Sequence, residues 1–264
     1  FRGCHSFEIR CPGALVNISV CIKRTPDTET RVAIAGDGAS IDPAGVKYIV
    51  SPYDEMAVEA ALRTKESSGD GLVTVVTLGS EDSVETLRSG LAMGADAALL
   101  LQGEVTMDGL ATAKALAAEL EGRDDGLVLF GVKAVDDDQQ QVGPMVATLL
   151  GRPCVTAVAS FEVQDGKVTC HREVEGGTEV VEVPLPAVLT VTKGDFEPRY
   201  ASLKGIMAAK RKPLEKKDAS TAESRLSVDA LELPPARPEG RVVGEGPEAV
   251  AELVRLLREE AKVI

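Results

Sequence analysis

Gly126-Leu127-Val128-Leu129-Phe130-Gly131-Val132-Lys133-Ala134-Val135-Asp136-Asp137-Asp138-Gln139-Gln140-Gln141-Val142 reads as an aliphatic strand, a glycine, a polar loop and the first residue of a helix. Leu127 to Phe130 carry no charge, as a strand buried on both faces requires. Val142, Met145, Val146 and Leu149 then recur at helical spacing, and Gly151 and Pro153 close the helix. Strand, turn and helix make one crossover unit, which implies a parallel sheet.

Working outward, the unit repeats. Strands are expected at Val16–Ile22, Val46–Val50, Leu72–Leu78, Ala97–Leu101, Gly126–Phe130 and Cys154–Ala159. Their starts fall roughly every 25 to 30 residues, the length of a strand plus its crossover helix. Ser51 supplies an N-cap, Pro52 the first helical position, and Asp54 and Glu55 an acidic first turn. Ser80 opens a second helix along Val84, Leu87 and Leu91, which Gly94 ends; Leu110, Ala113, Ala117 and Leu120 stripe a third. The pattern then changes. Ser160–Val163 and Val168–Glu173 flank a hairpin at Gln164-Asp165-Gly166-Lys167. Thr178–Val183 and Ala187–Thr192 follow, and together these read as an antiparallel extension of the sheet.

From Lys193 to Glu215 a loop with a short helical stretch is expected. From Lys216 to Gly246 the chain is polar and proline-rich (Leu233-Pro234-Pro235, Arg237-Pro238), an arm without core periodicity. Pro247 and Glu248 open a last helix with Val250, Leu253, Val254 and Leu257 on one face, which must dock on this domain or on a partner. The expected fold is α/β: a Rossmann-like parallel sheet flanked by helices, with an antiparallel extension and a C-terminal arm. The expected divisions are a disordered extension (1–16), a nucleotide-binding α/β domain (17–192), a partner-recognition loop (193–215), and the extended arm with its helix (216–264).

Composition bounds the function. The chain has 264 residues, 44% hydrophobic and 27% charged, with 3% aromatics and no Trp. Its core must therefore be Val, Leu, Ile and Ala. A net charge of -13 argues against nucleic acid as a partner, which demands a positive footprint. No window approaches the ~20 consecutive apolar residues of a spanning helix, so direct membrane insertion is not expected. Five cysteines without a C-x-x-C and two histidines make no zinc site by spacing. Reduced thiols in a bacterial cytoplasm, or alternatively a mitochondrial matrix, fit that count. Phe1 to Leu15 fits neither a signal peptide nor a good transit peptide.

Five stretches resemble the electron transfer flavoprotein beta subunit. They are Val20-Cys21-Ile22-Lys23-Arg24 with Asp27; Ser51-Pro52-Tyr53-Asp54-Glu55 with Ala57-Val58-Glu59 and Lys65-Glu66; Leu91-Ala92-Met93-Gly94-Ala95-Asp96; Ala134-Val135-Asp136-Asp137-Asp138 with Gln141 and Gly143; and Glu197-Pro198-Arg199-Tyr200-Ala201 followed by Leu203, Ile206, Met207 and a basic run. Their order and spacing hold from about Asn17 to the C-terminus. Two details depart: many relatives have Asn at Ser51 and Phe at Tyr53.

The resemblance implies a heterodimer whose alpha subunit holds FAD, carrying electrons from flavin dehydrogenases, such as those acting on acyl-CoA, to a quinone oxidoreductase. It implies a structural AMP in this subunit, or a second FAD in the electron-bifurcating branch. Asp136-Asp137-Asp138 looks like the AMP branch and Gln141-Val142-Gly143-Pro144 like the other; AMP is favoured. The nucleotide would lie against Ser51, Pro52, Tyr53 and Asp54, with Tyr53 as a stacking face, and against the loop from Gly131 to Val142. Cys21 and Leu78 would floor the pocket. Lys23, Arg24 and Asp27 would lie near the alpha subunit's flavin. Leu203, Ile206 and Met207 would be the anchor for dehydrogenases.

The residues themselves allow plainer roles. Ser51 could merely cap its helix, Asp136–Asp138 could be first-turn residues, Cys21 a core residue, and Leu203 a side chain folded back on the body. On the ligand side, the helix start after Gly131 suits a phosphate, and Gly131 lets a ligand come close. Gln139, Gln140 and Gln141 offer neutral donors, and three adjacent carboxylates would repel a phosphate unless turned away or paired. No acid–base set or triad can be assembled, and the resemblance implies a subunit that carries electrons rather than an enzyme. A non-enzymatic nucleotide sensor of similar fold is the rival; it would have little use for the tail.

Overall fold

The computed structural model describes residues 17–104, 108–220, 223–236 and 239–264. The extension expected over 1–16 and the Arg237-Pro238 pair lie outside the described residues.

The chain opens with β1 (Ile18–Cys21), β2 (Arg24–Pro26) and β3 (Tyr48–Val50), then α1 (Pro52–Ser68), β4 (Val73–Gly79), α2 (Ser83–Met93) and β5 (Ala97–Gln102). Next come α3 (Gly109–Leu120), β6 (Leu127–Gly131), α4 (Val142–Leu150), β7 (Cys154–Val158), β8 (Ser160–Gln164), β9 (Lys167–Val174), β10 (Gly177–Pro184) and β11 (Ala187–Val191). After them lie α5 (Leu203–Ala209), β12 (Leu214–Asp218) and, beyond a single 3₁₀ turn at Pro247–Ala249, α6 (Val250–Glu259).

Among the described residues seven strands form one parallel sheet in the order β12-β5-β4-β1-β6-β11-β7. Aliphatic alternation places α1 and α2 on one face, over Ile18, Val20, Val58, Leu87 and Leu91. On the other face α3 and α4 pack over Cys21, Val76, Leu116, Phe130 and Val146. Both faces are covered, so the strands can be apolar throughout. The expected α/β class is the one observed.

Several elements differ in detail. Val46–Val50 was expected in the parallel repeat, but β3 pairs antiparallel with β2 in a separate ribbon. The Gly-, Asp- and Pro-rich chain between them supplies no crossover helix, and without one the strand cannot join as a parallel neighbour. β8, β9 and β10 form their own antiparallel sheet around the hairpin at Asp165 and Gly166, both at positive φ. Ala187–Val191, expected in that extension, instead returns to the main sheet between β6 and β7. β12 was read as loop and arm; it is a polar edge strand on β5, with Lys216 and Lys217 paired to Glu81 and Glu119. Such an edge shows no apolar alternation. Leu149, expected on the buried stripe of α4, is exposed. Among the described residues no helix is long and apolar enough to cross a membrane.

Candidate functional site

From β1 the chain steps to β4 and β5 on one side, then returns to β6 on the other. Such a reversal leaves a crevice beyond the carboxyl ends of the strands, where open α/β sheets bind ligands. A cleft opens there. Cys21, Val76 and Phe130 floor it, the start of α3 (Gly109, Thr112) forms one wall, and Val142 and Gly143 of α4 form another.

Most of the residues singled out from the sequence meet in this cleft. Cys21, Asp54 and Leu78 line it, as do Gly131, Val132, Lys133, Ala134, Asp137, Gln139, Gln140, Gln141 and Val142. Ser51, Pro52, Tyr53, Val135, Asp136 and Asp138 do not. Burial, then the charge of Asp54, holds the Cys21 thiol far above its ordinary range; it is a neutral wall.

The Ser51-Pro52-Tyr53-Asp54 turn behaves differently from expectation. Pro52 does open α1, but Ser51 makes no side-chain cap, and its buried Oγ has no hydrogen-bond partner among the described residues. Tyr53 lies outside the cleft, its ring 5.8 Å from Lys133 Nζ. Asp54 is buried and accepts from the backbone N–H groups of Lys23 (2.7 Å) and Gly131 (2.9 Å). It thus staples the ends of β1 and β6 to the start of α1. Burial, the largest influence, pushes its carboxyl up to about 7, against the two amide bonds and Lys23, which favour the anion. A carboxyl raised this way makes stability fall as pH rises from its unfolded value of 3.8 towards 7. Gly131 is required by this staple: a Cβ there would stand 2.4 Å from Asp54 Oδ1 and 2.7 Å from the Tyr53 carbonyl carbon. The close approach expected of a ligand is that of α1.

The acid-rich loop is a turn that ends before α4. Lys23 Nζ lies 2.9 Å from Asp136 and 2.8 Å from Asp137, and Lys133 Nζ lies 3.0 Å from Asp138. Burial works to lower the Lys23 pKa, but its bonds to Asp137 and Asp136 outweigh that and hold it above the ordinary value. Asp138 and Gln140 have positive φ, and Gln141 is right-handed. Such alternation turns successive N–H groups towards one concavity. Gln141, the N-cap residue of α4, makes no side-chain cap there. Sequence reasoning assigned Lys23 to the neighbourhood of the alpha subunit's flavin and did not place it in this cleft, which it lines; the Gly109 wall it missed. Lys23 meets Asp137 across 114 positions, which no local pattern reveals.

A second feature stands on the α1–α2 face. α5 exposes Leu203 (79%), Ile206 (45%) and Met207 (56%), while its base is fixed. Arg199 grips Glu59 and Glu66 of α1, and Arg63 donates to the carbonyls of Asp195 and Glu197. Arg88 donates to the carbonyls of Ala209 and Lys212, the latter at 3.1 Å. Lys212, counted in sequence with the basic run, instead donates to the Leu91 and Ala95 carbonyls at the end of α2.

The arm leaves β12 through Ala219 N–H to the Gln102 carbonyl, then Arg225 N–H to Asp108 Oδ2 and Leu231 N–H to the Gly38 carbonyl. α6 follows with no buried residue.

The electron transfer flavoprotein domain, as a family model, matches residues 39–222. The electron transfer flavoprotein beta subunit of Syntrophomonas wolfei is 41% identical over 249 residues, covering 94% of this chain and 98% of that protein. This chain belongs to the electron transfer flavoprotein beta-subunit family. The Bacillus subtilis beta subunit is 39% identical over 260 residues, covering 94% of this chain and all of its own. The mitochondrial beta subunit of Arabidopsis thaliana is 36% identical over 255 residues with the same coverage. Membership in this flavoprotein family implies an electron-transfer role involving flavin and an alpha-subunit partner.

Proposed function

We propose that this beta subunit binds AMP as a structural ligand and pairs with an alpha subunit that holds FAD. The heterodimer carries electrons from flavin dehydrogenases, including those acting on acyl-CoA, towards a quinone oxidoreductase. The observation that carries the nucleotide reading is the cleft at the strand-order reversal, which ends on the start of α4, where Gln141 makes no side-chain cap. A phosphate is favoured at such a helix start by its free N–H groups and its dipole. Val142 and Gly143 would hold the phosphate through their amides, Gln140 and Gln141 would flank it, and Cys21 and Leu78 would face the adenine. AMP supplies no chemistry there; it adds binding energy to the folded state, about 2.7 kcal/mol at a hundred times Kd. α5 docks the dehydrogenases, and α6 lies on the alpha subunit.

The test is to co-purify the two subunits and count ligands. One FAD and one AMP per heterodimer is expected. Two FAD would move the chain to the bifurcating branch that Gln141-Val142-Gly143-Pro144 resembles, and a heterodimer without any nucleotide in this chain would overturn the reading.

A further inference from the structure

The nucleotide reading leaves an electrostatic problem. Asp136, Asp137 and Asp138 stand in the loop that roofs the cleft, and Asp137 lines it. Asp137 is only 15% exposed at its side chain and Asp136 25%, so water screens them poorly and a phosphate dianion would be repelled. The cations available are unequal. Lys133 is spent on Asp138, the outermost acid, which is 59% exposed. Among the described residues only Lys23 reaches the inner pair, at 2.9 and 2.8 Å. It comes from a different part of the chain, the end of β1, and its backbone N–H is fixed by Asp54 at 2.7 Å. Its ammonium is therefore aimed across the cleft from the sheet to the loop.

We propose that Lys23 is the positioning residue that makes this cleft accept a phosphate: it neutralises Asp136 and Asp137 and holds their loop in the curl that leaves the α4 amides facing the ligand. The proposal rests on the nucleotide reading and adds to it a specificity. The ligand class is a nucleoside 5′-phosphate rather than a nucleoside, and that preference depends on one lysine outside the loop. With Lys23 the inner cluster carries one negative charge; without it, two.

The test uses the heterodimer depleted of nucleotide and titrated calorimetrically with AMP and with adenosine. In Lys23→Met, AMP affinity should fall at least about tenfold, the size of one poorly screened charge interaction. Adenosine, which brings no charge, should bind as it does to the natural protein. Lys23→Arg should keep AMP binding, and Asp136→Asn with Asp137→Asn should restore it in the Lys23→Met background. Equal weakening of AMP and adenosine would make Lys23 a merely structural residue and overturn the proposal, as would unchanged AMP affinity. If Lys23→Met does not assemble, the triple variant decides: recovery of assembly and AMP binding supports the charge role, and failure to recover overturns it. Should the natural heterodimer bind neither compound, the nucleotide reading itself falls, an outcome distinct from loss in the variant alone.

Discussion

α5 and α6 both turn leucines and valines or methionines to solvent, yet they are held in opposite ways. α5 is seven residues long and fastened at its base by Arg199, Arg88 and Lys212, each bonded to α1 or α2 or to the chain that α5 leads into. α6 is ten residues long, contacts chiefly its own preceding turn, and is braced by Arg255 with Glu252 and Glu259 along its own surface. Fixing a base while exposing a tip lowers the entropy cost of each new encounter, which suits a partner that comes and goes. A helix left without a body suits a partner that stays, since its apolar stripe gains burial only there.

The predictions press on that contrast, largest effect first. Leu253→Asp with Leu257→Asp should weaken heterodimer assembly by about 4 kcal/mol, two anchors at about 2 each. The melting temperature of the isolated chain should not change. A lower melting temperature in the isolated chain, by calorimetry, would show that α6 packs on its own subunit and would end the comparison.

Arg199→Ala should cost about 2–3 kcal/mol of stability, less than a fully orphaned buried charge because Arg63 still covers one Glu59 oxygen. The cost should depend on pH. Burial acts to raise the Glu59 carboxyl, but Arg199 and Arg63 hold it below its ordinary value of 4.5. Its contribution is therefore present above 4.5 and lost as pH falls through the depressed value. The stability gap between Arg199→Ala and the natural chain, measured by denaturant titration, should close on acidification below that pH. A gap that persists in acid would mean that Arg199 acts by packing alone.

Leu203→Ala should weaken dehydrogenase coupling by roughly 1–3 kcal/mol while leaving the melting temperature alone. The reverse outcome, a lower melting temperature with coupling intact, would make Leu203 a body residue. The smallest effect belongs to charge. Lys210 and Arg211 have no ion pair among the described residues, so they and not Lys212 should steer a partner. Neutralising both should slow association at low salt by less than about tenfold and vanish near 1 M salt. An equal effect at high salt would assign them to the contact itself.

The sequence made the sheet legible because buried parallel strands are aliphatic runs spaced by helices, and Leu127 to Phe130 could be little else. The loop after them was legible for the same reason: a strand end followed by a helix start. Gly131 shows the limit. Its lack of a side chain was read as room for a ligand, but its neighbour is α1, whose first turn is 77 positions away. Ser51 looked like a cap because its position and type matched, and only the backbone geometry shows its hydroxyl turned inward. β12 was unreadable because an edge strand whose lysines reach to Glu81 and Glu119 has the composition of a loop. Lys212 was grouped with its neighbours by charge, when burial against α2 separates it from them.

Leu231 is the last described residue whose backbone is hydrogen-bonded to the body before α6. The roughly sixteen residues from there to Pro247 reach at most about 55 Å when fully extended. α6 is thus leashed within that radius, and a partner already seated elsewhere on this subunit would meet it at a raised local concentration set by the length of the leash. A helix whose free affinity is only modest would then close almost every time, and reopening it would not release the partner. Such a leash would convert a weak contact into a slow departure.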